Sequence, residues 1–174
     1  MSIDILATIQ GRELQFELLL IDSVNNGASI GFLAPLVQDE AKLYWLQVDS
    51  DLQQGKRLLL AQFIDDKLAG AIQLSLCPKA NGRHRAEVEK LMVHTDFRQH
   101  GIAKQLLIYT EKVALDNQRT LLVLDIRTGD IASHLYRHQG YIEVGQIPDY
   151  VCNSENKFES TTYFYKQLSP PISS

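Results

Sequence analysis

Between Leu91 and Leu107 the chain reads Leu-Met-Val-His-Thr-Asp-Phe-Arg-Gln-His-Gly-Ile-Ala-Lys-Gln-Leu-Leu. An apolar strand end passes through a basic, glycine-containing loop straight into an amphipathic helix, which points to a layered α/β arrangement with that helix packed on a sheet. The first turn of such a helix carries N–H groups without intrahelical partners, and the aligned peptide dipoles make that end partly positive. Anions settle there. No Ser, Thr, Asn or Asp occupies Arg98 to Ala103, so no side chain of the usual capping type competes for those donors. Gly101 lets the backbone come close to a bulky diphosphate, Ala103 keeps the next position small, and Arg98 and His100 add charge. The segment Arg98, Gln99, His100, Gly101, Ile102, Ala103 and Lys104 is therefore the candidate phosphate cradle.

The rest of the chain sets the frame. A length of 174 residues with 45% hydrophobic residues suits one well-packed domain. The net charge of −4 gives no basic field of the kind that gathers nucleic acid, so no nucleic-acid partner is expected. No charged-then-apolar leader opens the sequence, and no apolar run approaches the ~20 residues that span a bilayer. A soluble, cytoplasmic protein without a membrane partner is expected. Cys77 and Cys152 are too few and too far apart for a disulfide framework, and His94, His134 and His138 lack metal-ligand spacing. No metal is expected.

Periodicity places a helix over 13–24, with Leu14, Leu18 and Ile21 as its stripe, and a second over 37–52 offering Leu43, Leu46 and Val48 to the core. Strand-length runs at 57–64 and 68–76 flank Asp65-Asp66-Lys67, a hairpin connection. The next strand, 86–93, sets Glu87, Glu89, Leu91 and Val93 alternately on one face. Ile102, Leu106, Tyr109 and Val113 form the stripe of the cradle helix, thickened by Ala103, Leu107 and Ala114. Segment 120–126 reads as a strand buried on both faces. A short helix over 131–139 ends at Gly140, and strands at 141–147 and 161–168 close the chain. The tail from Ser169 is expected to fray.

Walker loops need Gly-Lys-Ser/Thr, and the dinucleotide fingerprint needs three spaced glycines; neither occurs here. Instead, Leu91 to Ala103 resembles the acetyl-coenzyme A signature of the GNAT superfamily of N-acetyltransferases, Arg/Gln-x-x-Gly-x-Gly/Ala after a strand. Ala132-Ser133-His134-Leu135-Tyr136, followed by Gly140-Tyr141, is similar to the family's Ala-x-x-Leu-Tyr helix and the start of its next strand. One departure is Gly129, where many members carry an Asn. A closer resemblance, to a toxin-resistance branch of the family, rests on Asn26 to Phe32, Gln73 to Cys77, Arg85 to Val93, Leu124-Asp125, Val144 to Tyr150 and Tyr163 to Leu168. The segment 151–160 departs from it.

The resemblance implies a GNAT-like mixed α/β fold: a mostly antiparallel sheet of six to seven strands, splayed at the cofactor site and flanked by helices. It implies direct acetyl transfer from acetyl-CoA, as cosubstrate, to the amine of a small polar molecule such as tabtoxinine-β-lactam or a related amino acid. Backbone groups of Leu91, Met92 and Val93 would meet the thioester and pantetheine arm, and Glu87 and Asp125 are the candidate bases. Tyr136 is the candidate acid, and the acceptor would lie against Ser29, Phe32 and Tyr150. Neither cysteine falls in the cradle, which argues against an acyl-enzyme. As residues alone, Glu87 and Glu89 also read as a solvated strand face, Asp125 as a partner for Arg127 or Arg85, and Tyr136 as a core aromatic. Acetylation of a protein N-terminus or lysine, and a coenzyme A-binding module without turnover, are the rival functions. A homodimer is left open.

Overall fold

The structure, a computed structural model, describes residues 2–169; the tail beyond Ser169 lies outside the described residues. Seven strands form one sheet: β1 (Ile3–Leu6), β2 (Arg57–Ile64), β3 (Lys67–Leu76), β4 (Arg85–Val93), β5 (Leu121–Arg127), β6 (Ile142–Cys152) and β7 (Phe158–Gln167). Their spatial order is β1-β2-β3-β4-β5-β7-β6. Every neighbouring pair is antiparallel except β4 and β5. Four α-helices flank the sheet: α1 (Glu13–Asn25), α2 (Gln38–Gln53), α3 (Ile102–Asp116) and α4 (Ala132–His138). This is the mixed α/β fold expected from the sequence.

The two faces of the sheet carry separate cores. Phe16, Leu19 and Leu20 of α1 and Trp45 and Val48 of α2 pack on Leu59, Ala61, Ala71 and Met92. On the other face, Ile102, Leu106 and Val113 of α3 and Tyr136 of α4 pack on Leu60, Ile72, Leu74, Leu122, Leu124 and Phe164. The alternation of Leu59, Leu60 and Ala61 between faces is the period-two signature of a strand covered on both sides. Gly70 allows α3 its close approach, since a Cβ there would stand 2.8 Å from the Met92 carbonyl and 3.0 Å from Ile102.

Several expectations need correction. In α1 the residues Leu14 and Leu18 are exposed, and the buried stripe is Phe16, Leu19, Leu20 and Val24. In α2, Leu43 and Leu46 face outward while Ala41, Trp45, Val48 and Leu52 are buried. Both helices carry two apolar stripes, and the one bearing the large aromatic anchors wins the core. Strand β5 is not covered on both faces: Leu122 and Leu124 are buried, but Leu121, Val123 and Asp125 are only partly so. β6 runs on to Cys152 and β7 begins at Phe158, so much of the divergent segment 151–160 is a hairpin. The β2–β3 hairpin turns through Asp65 (φ 49°) and Asp66 (φ 61°), the paired left-handed residues of a two-residue turn.

Candidate active site

β4 and β5 are paired over only Arg85↔Leu121, Ala86↔Leu122 and Glu87↔Val123. Beyond Glu87 the two strands part, and the β5-facing edge of β4 has no strand partner through Leu91, Met92 and Val93. On its other side β4 stays paired with β3, but the register passes from Gln73↔Glu89 to Ala71↔Met92. Lys90 and Leu91 together face Ile72, with Lys90 in a left-handed conformation (φ 52°). This bulge corrects the expected single face. Leu91 and Val93 pack into the α3 core, whereas Glu89 lies on the opposite side with Arg57.

The loop after β4 is tied down by α1. Asp22 accepts from the Thr95 backbone N–H at 2.9 Å and from its hydroxyl at 2.8 Å. The chain then passes through Gln99 (φ 63°) and Gly101 (φ 74°), and Gly101 is the uncapped N-cap of α3. The first intrahelical bond runs from the Gln105 N–H to the Gly101 carbonyl at 3.0 Å, so the N–H groups of Ile102, Ala103 and Lys104 precede the ladder. A Cβ on Gly101 would come only within 3.8 Å of Gln105, so conformation rather than space calls for glycine here. Arg98, Gln99 and Gly101 are exposed, and the His100 ring binds back to the Arg98 carbonyl at 2.7 Å. The geometry fits a diphosphate: free N–H donors at a positive helix end, with no side chain in their way.

Glu87 and Asp125 share a face of the sheet, because Asp125 lies two residues beyond Val123, the partner of Glu87. Glu87 is exposed, as a solvated strand face would be, but its carboxyl is held above its ordinary range by loss of hydration against the sheet, then by Glu89 and Asp125, against the pull of Lys90 and Arg57. Asp125 accepts a 2.7 Å hydrogen bond from the Thr161 hydroxyl. It does not pair with Arg127 or Arg85: Arg127 reaches Asp130 and Glu159, and Arg85 lies against the Cys77 sulfur. Tyr163, opposite Asp125 in register, meets Tyr150 hydroxyl to hydroxyl at 2.7 Å. Tyr136 is buried between Tyr141 and Phe164, and burial pushes its phenol well above the ordinary value.

The 26–36 segment crosses the open side of this wall. Arg127 donates to the Gly27 carbonyl at 3.1 Å, and the Ala34 N–H donates to the Ser154 hydroxyl at 3.2 Å, joining the segment to the β6–β7 turn. Phe32 stacks edge-on against Tyr44 at 5.1 Å, and Ser29 is half-buried. Sequence reasoning missed the polar network behind Glu87. Arg57 donates to Gln73 at 2.6 Å and to Glu89 at 2.8 Å, and Tyr44 shares a hydrogen bond with Gln73. Burial holds the Tyr44 phenol up at about 12. Its signal was Gln73, a polar residue inside an apolar strand and wholly buried. Among the described residues no cluster of three His, Cys, Asp or Glu converges as a metal site, and no helix is long and apolar enough to cross a membrane.

The sequence model of the acetyltransferase (GNAT) family matches residues 22–141. The chain belongs to this family. As a GNAT protein it is similar to an uncharacterized N-acetyltransferase in the hisH-hisA intergenic region of Azospirillum brasilense, 30% identical over 109 residues. That match covers 61% of this chain and 62% of the relative, so the GNAT chain spans less than two thirds of that curated relative's length. Its fold is shared with a ribosomal-protein-alanine N-acetyltransferase from Brucella melitensis (TM-score 0.78, 20% identity, 97% of this chain and 100% of that one). It is also shared with yncA from Salmonella typhimurium, solved with its cofactor acetyl-CoA (TM-score 0.77, 16% identity, 100% and 97%).

Proposed function

We propose that this GNAT chain transfers the acetyl group of acetyl-CoA directly to a primary amine of a small polar molecule. The observation that carries the reading is the shared face of Glu87 and Asp125 at the point where β4 and β5 part, with the uncapped start of α3 beyond. Acetyl-CoA supplies an activated acyl group. The diphosphate would rest on the N–H groups of Ile102, Ala103 and Lys104, with Arg98, Gln99, His100 and Gly101 around it. The free edge at Leu91, Met92 and Val93 would hold the pantetheine arm and polarise the thioester carbonyl.

An amine attacks only when neutral, so a base must take its proton. Glu87, with its raised affinity for a proton, is suited to that task directly or through water, and Asp125 supports it as an acceptor fixed by Thr161. Tyr136 would donate a hydrogen bond to the departing sulfur. Because burial makes its phenol harder to ionise, this donor stabilises the thiolate more than it surrenders a proton outright.

Ser29, Phe32 and Tyr150 would contact the acceptor. The tie between Ala34 and Ser154 favours a compact acceptor over a peptide laid through an open groove. Tabtoxinine-β-lactam or a related amino acid or antibiotic fits that description, and a cytoplasmic setting suits the supply of acetyl-CoA. The test is coenzyme A release over a panel of free amino acids, β-lactam toxins, polyamines, aminoglycosides and short peptides. Release with small amines supports the reading. Release with peptides alone supports N-terminal or lysine acetylation, and acetyl-CoA binding without release on any amine supports a module without turnover.

A further inference from the structure

Lys90 stands where β4 gains its extra residue, and the bulge turns its side chain away from the α3 core that takes Leu91. The ammonium ends 5.8 Å from the centre of the Tyr44 ring and close to Gly31, where a Cβ would lie 3.6 Å from Nζ. It shares an electrostatic neighbourhood with Glu87, Glu89, Asp125 and Arg57. Apart from Glu87, the proposed base, the other charged groups of this wall have partners. Arg57 holds Glu89 and approaches Asp51 at 3.4 Å, Asp125 accepts from Thr161, and Arg127 meets Asp130 and Glu159. Lys90 forms no hydrogen bond or ion pair with any described residue, although it is half-buried.

We propose that Lys90 is the specificity residue for a free carboxylate on the acceptor, so that the acceptor is an amino acid. Its amine would face Glu87 and Asp125 while its carboxylate rests on the Lys90 ammonium. This rests on the acetyltransferase reading above. A half-buried cation without a hydrogen-bonded anion is costly, and a substrate carboxylate supplies the missing partner. With Arg57 and Glu89 paired to each other, the wall leaves two acids, Glu87 and Asp125, and one base, Lys90, within reach of each other's charge, which is the complement of a zwitterion. A polyamine would meet the Lys90 charge as a repulsion, and an acceptor without a second charge would leave it unpaired. The absence of a side chain at Gly31 keeps the approach to Nζ clear.

The test compares L-amino acids with their carboxamides as acceptors for wild type, Lys90→Met and Lys90→Arg. Wild type is expected to favour the acid by about tenfold or more in kcat/KM, the scale of one charge-assisted hydrogen bond. Lys90→Met should erase the acid-to-amide ratio, chiefly through a higher KM for the acid, and Lys90→Arg should restore part of it. Equal rates for acid and amide in wild type, or equal losses for both in Lys90→Met, overturn the proposal. A second arm needs no turnover: N-acetyl amino acids and their amides are titrated calorimetrically into the protein loaded with coenzyme A. Carboxylate-selective binding that vanishes in Lys90→Met, with no transfer to any amine, supports this inference and sinks the acetyltransferase reading. Transfer without carboxylate selectivity in either arm does the reverse, and failure of both arms overturns both.

Discussion

Glu87 lies opposite Val123 in the last paired rung between β4 and β5, so its carboxyl stands at the mouth of the gap that opens beyond. Glu87 is exposed at that mouth, and its raised proton affinity comes from the hydration its carboxyl loses against the sheet and from the neighbouring carboxylates, with no strong ion pair to hold it charged. Glu87→Gln should lower kcat/KM for an amine acceptor by about 100-fold, within the range of a lost general base. It should not lower the melting temperature, because the charge that burial penalises is gone. Steady-state kinetics beside thermal unfolding checks both halves.

The second prediction concerns pH. A base works deprotonated, so the acid limb of kcat/KM should turn above the ordinary glutamate range. Glu89→Gln removes the largest like-charge contribution and releases Arg57 from its partner, and both changes lower the affinity of Glu87 for a proton. The limb should move to lower pH. Linkage runs the opposite way for stability: a carboxyl raised on folding favours the native state at low pH, and that contribution fades as pH rises through its folded value. A pH series of rate and of unfolding should therefore show opposed trends, both lost in Glu87→Gln.

Gly101→Ala probes the cradle. The position needs φ 74°, and an L side chain there costs about 1 kcal/mol even with open space around it. If the backbone relaxes to avoid that strain, the donors of α3 turn away from a common point. Affinity for acetyl-CoA, read by calorimetry, should fall by more than the small loss of melting temperature suggests.

Asp22→Ala tests the brace between α1 and the loop before the cradle. It removes two charge-assisted hydrogen bonds to Thr95, worth roughly 1–3 kcal/mol together with the donors left behind. Chemical denaturation should report that loss. Acetyl-CoA should bind more weakly as well, while the KM for the amine changes little.

Much of this was legible in the residues. The run of 91–107 specified a strand, loop and helix because its apolar stripe, its lone glycine and its missing capping residue all agree, and Ile102, Leu106 and Val113 are buried accordingly. The fold class followed from the family resemblance carried by 91–103 and 132–141, with which the periodic segments agree. What stayed hidden has physical causes. Leu14, Leu18, Leu43 and Leu46 obey helical spacing as well as their buried neighbours do, and only tertiary competition with Phe16 and Trp45 decides which stripe turns inward. The Lys90 bulge leaves no mark in composition, since any residue pair can be doubled against one partner, yet it moves Leu91 and Glu89 to opposite sides. The Arg57, Gln73 and Tyr44 network joins three distant segments through side-chain reach, which spacing along the chain does not encode.

The short seam between β4 and β5 also governs how the molecule comes apart. Two ribbons, β1 to β4 and β5 to β7, are joined by three rungs of backbone pairing, and the remainder of the junction depends on helices packed across it. Anything bound in the gap adds a strut between the ribbons and is lost when they separate, so occupancy couples to cohesion through mass action. Amide protons of Leu91 to Val93 and of β5 beyond Val123 should then exchange with solvent as one unit, slowing together as the gap is filled.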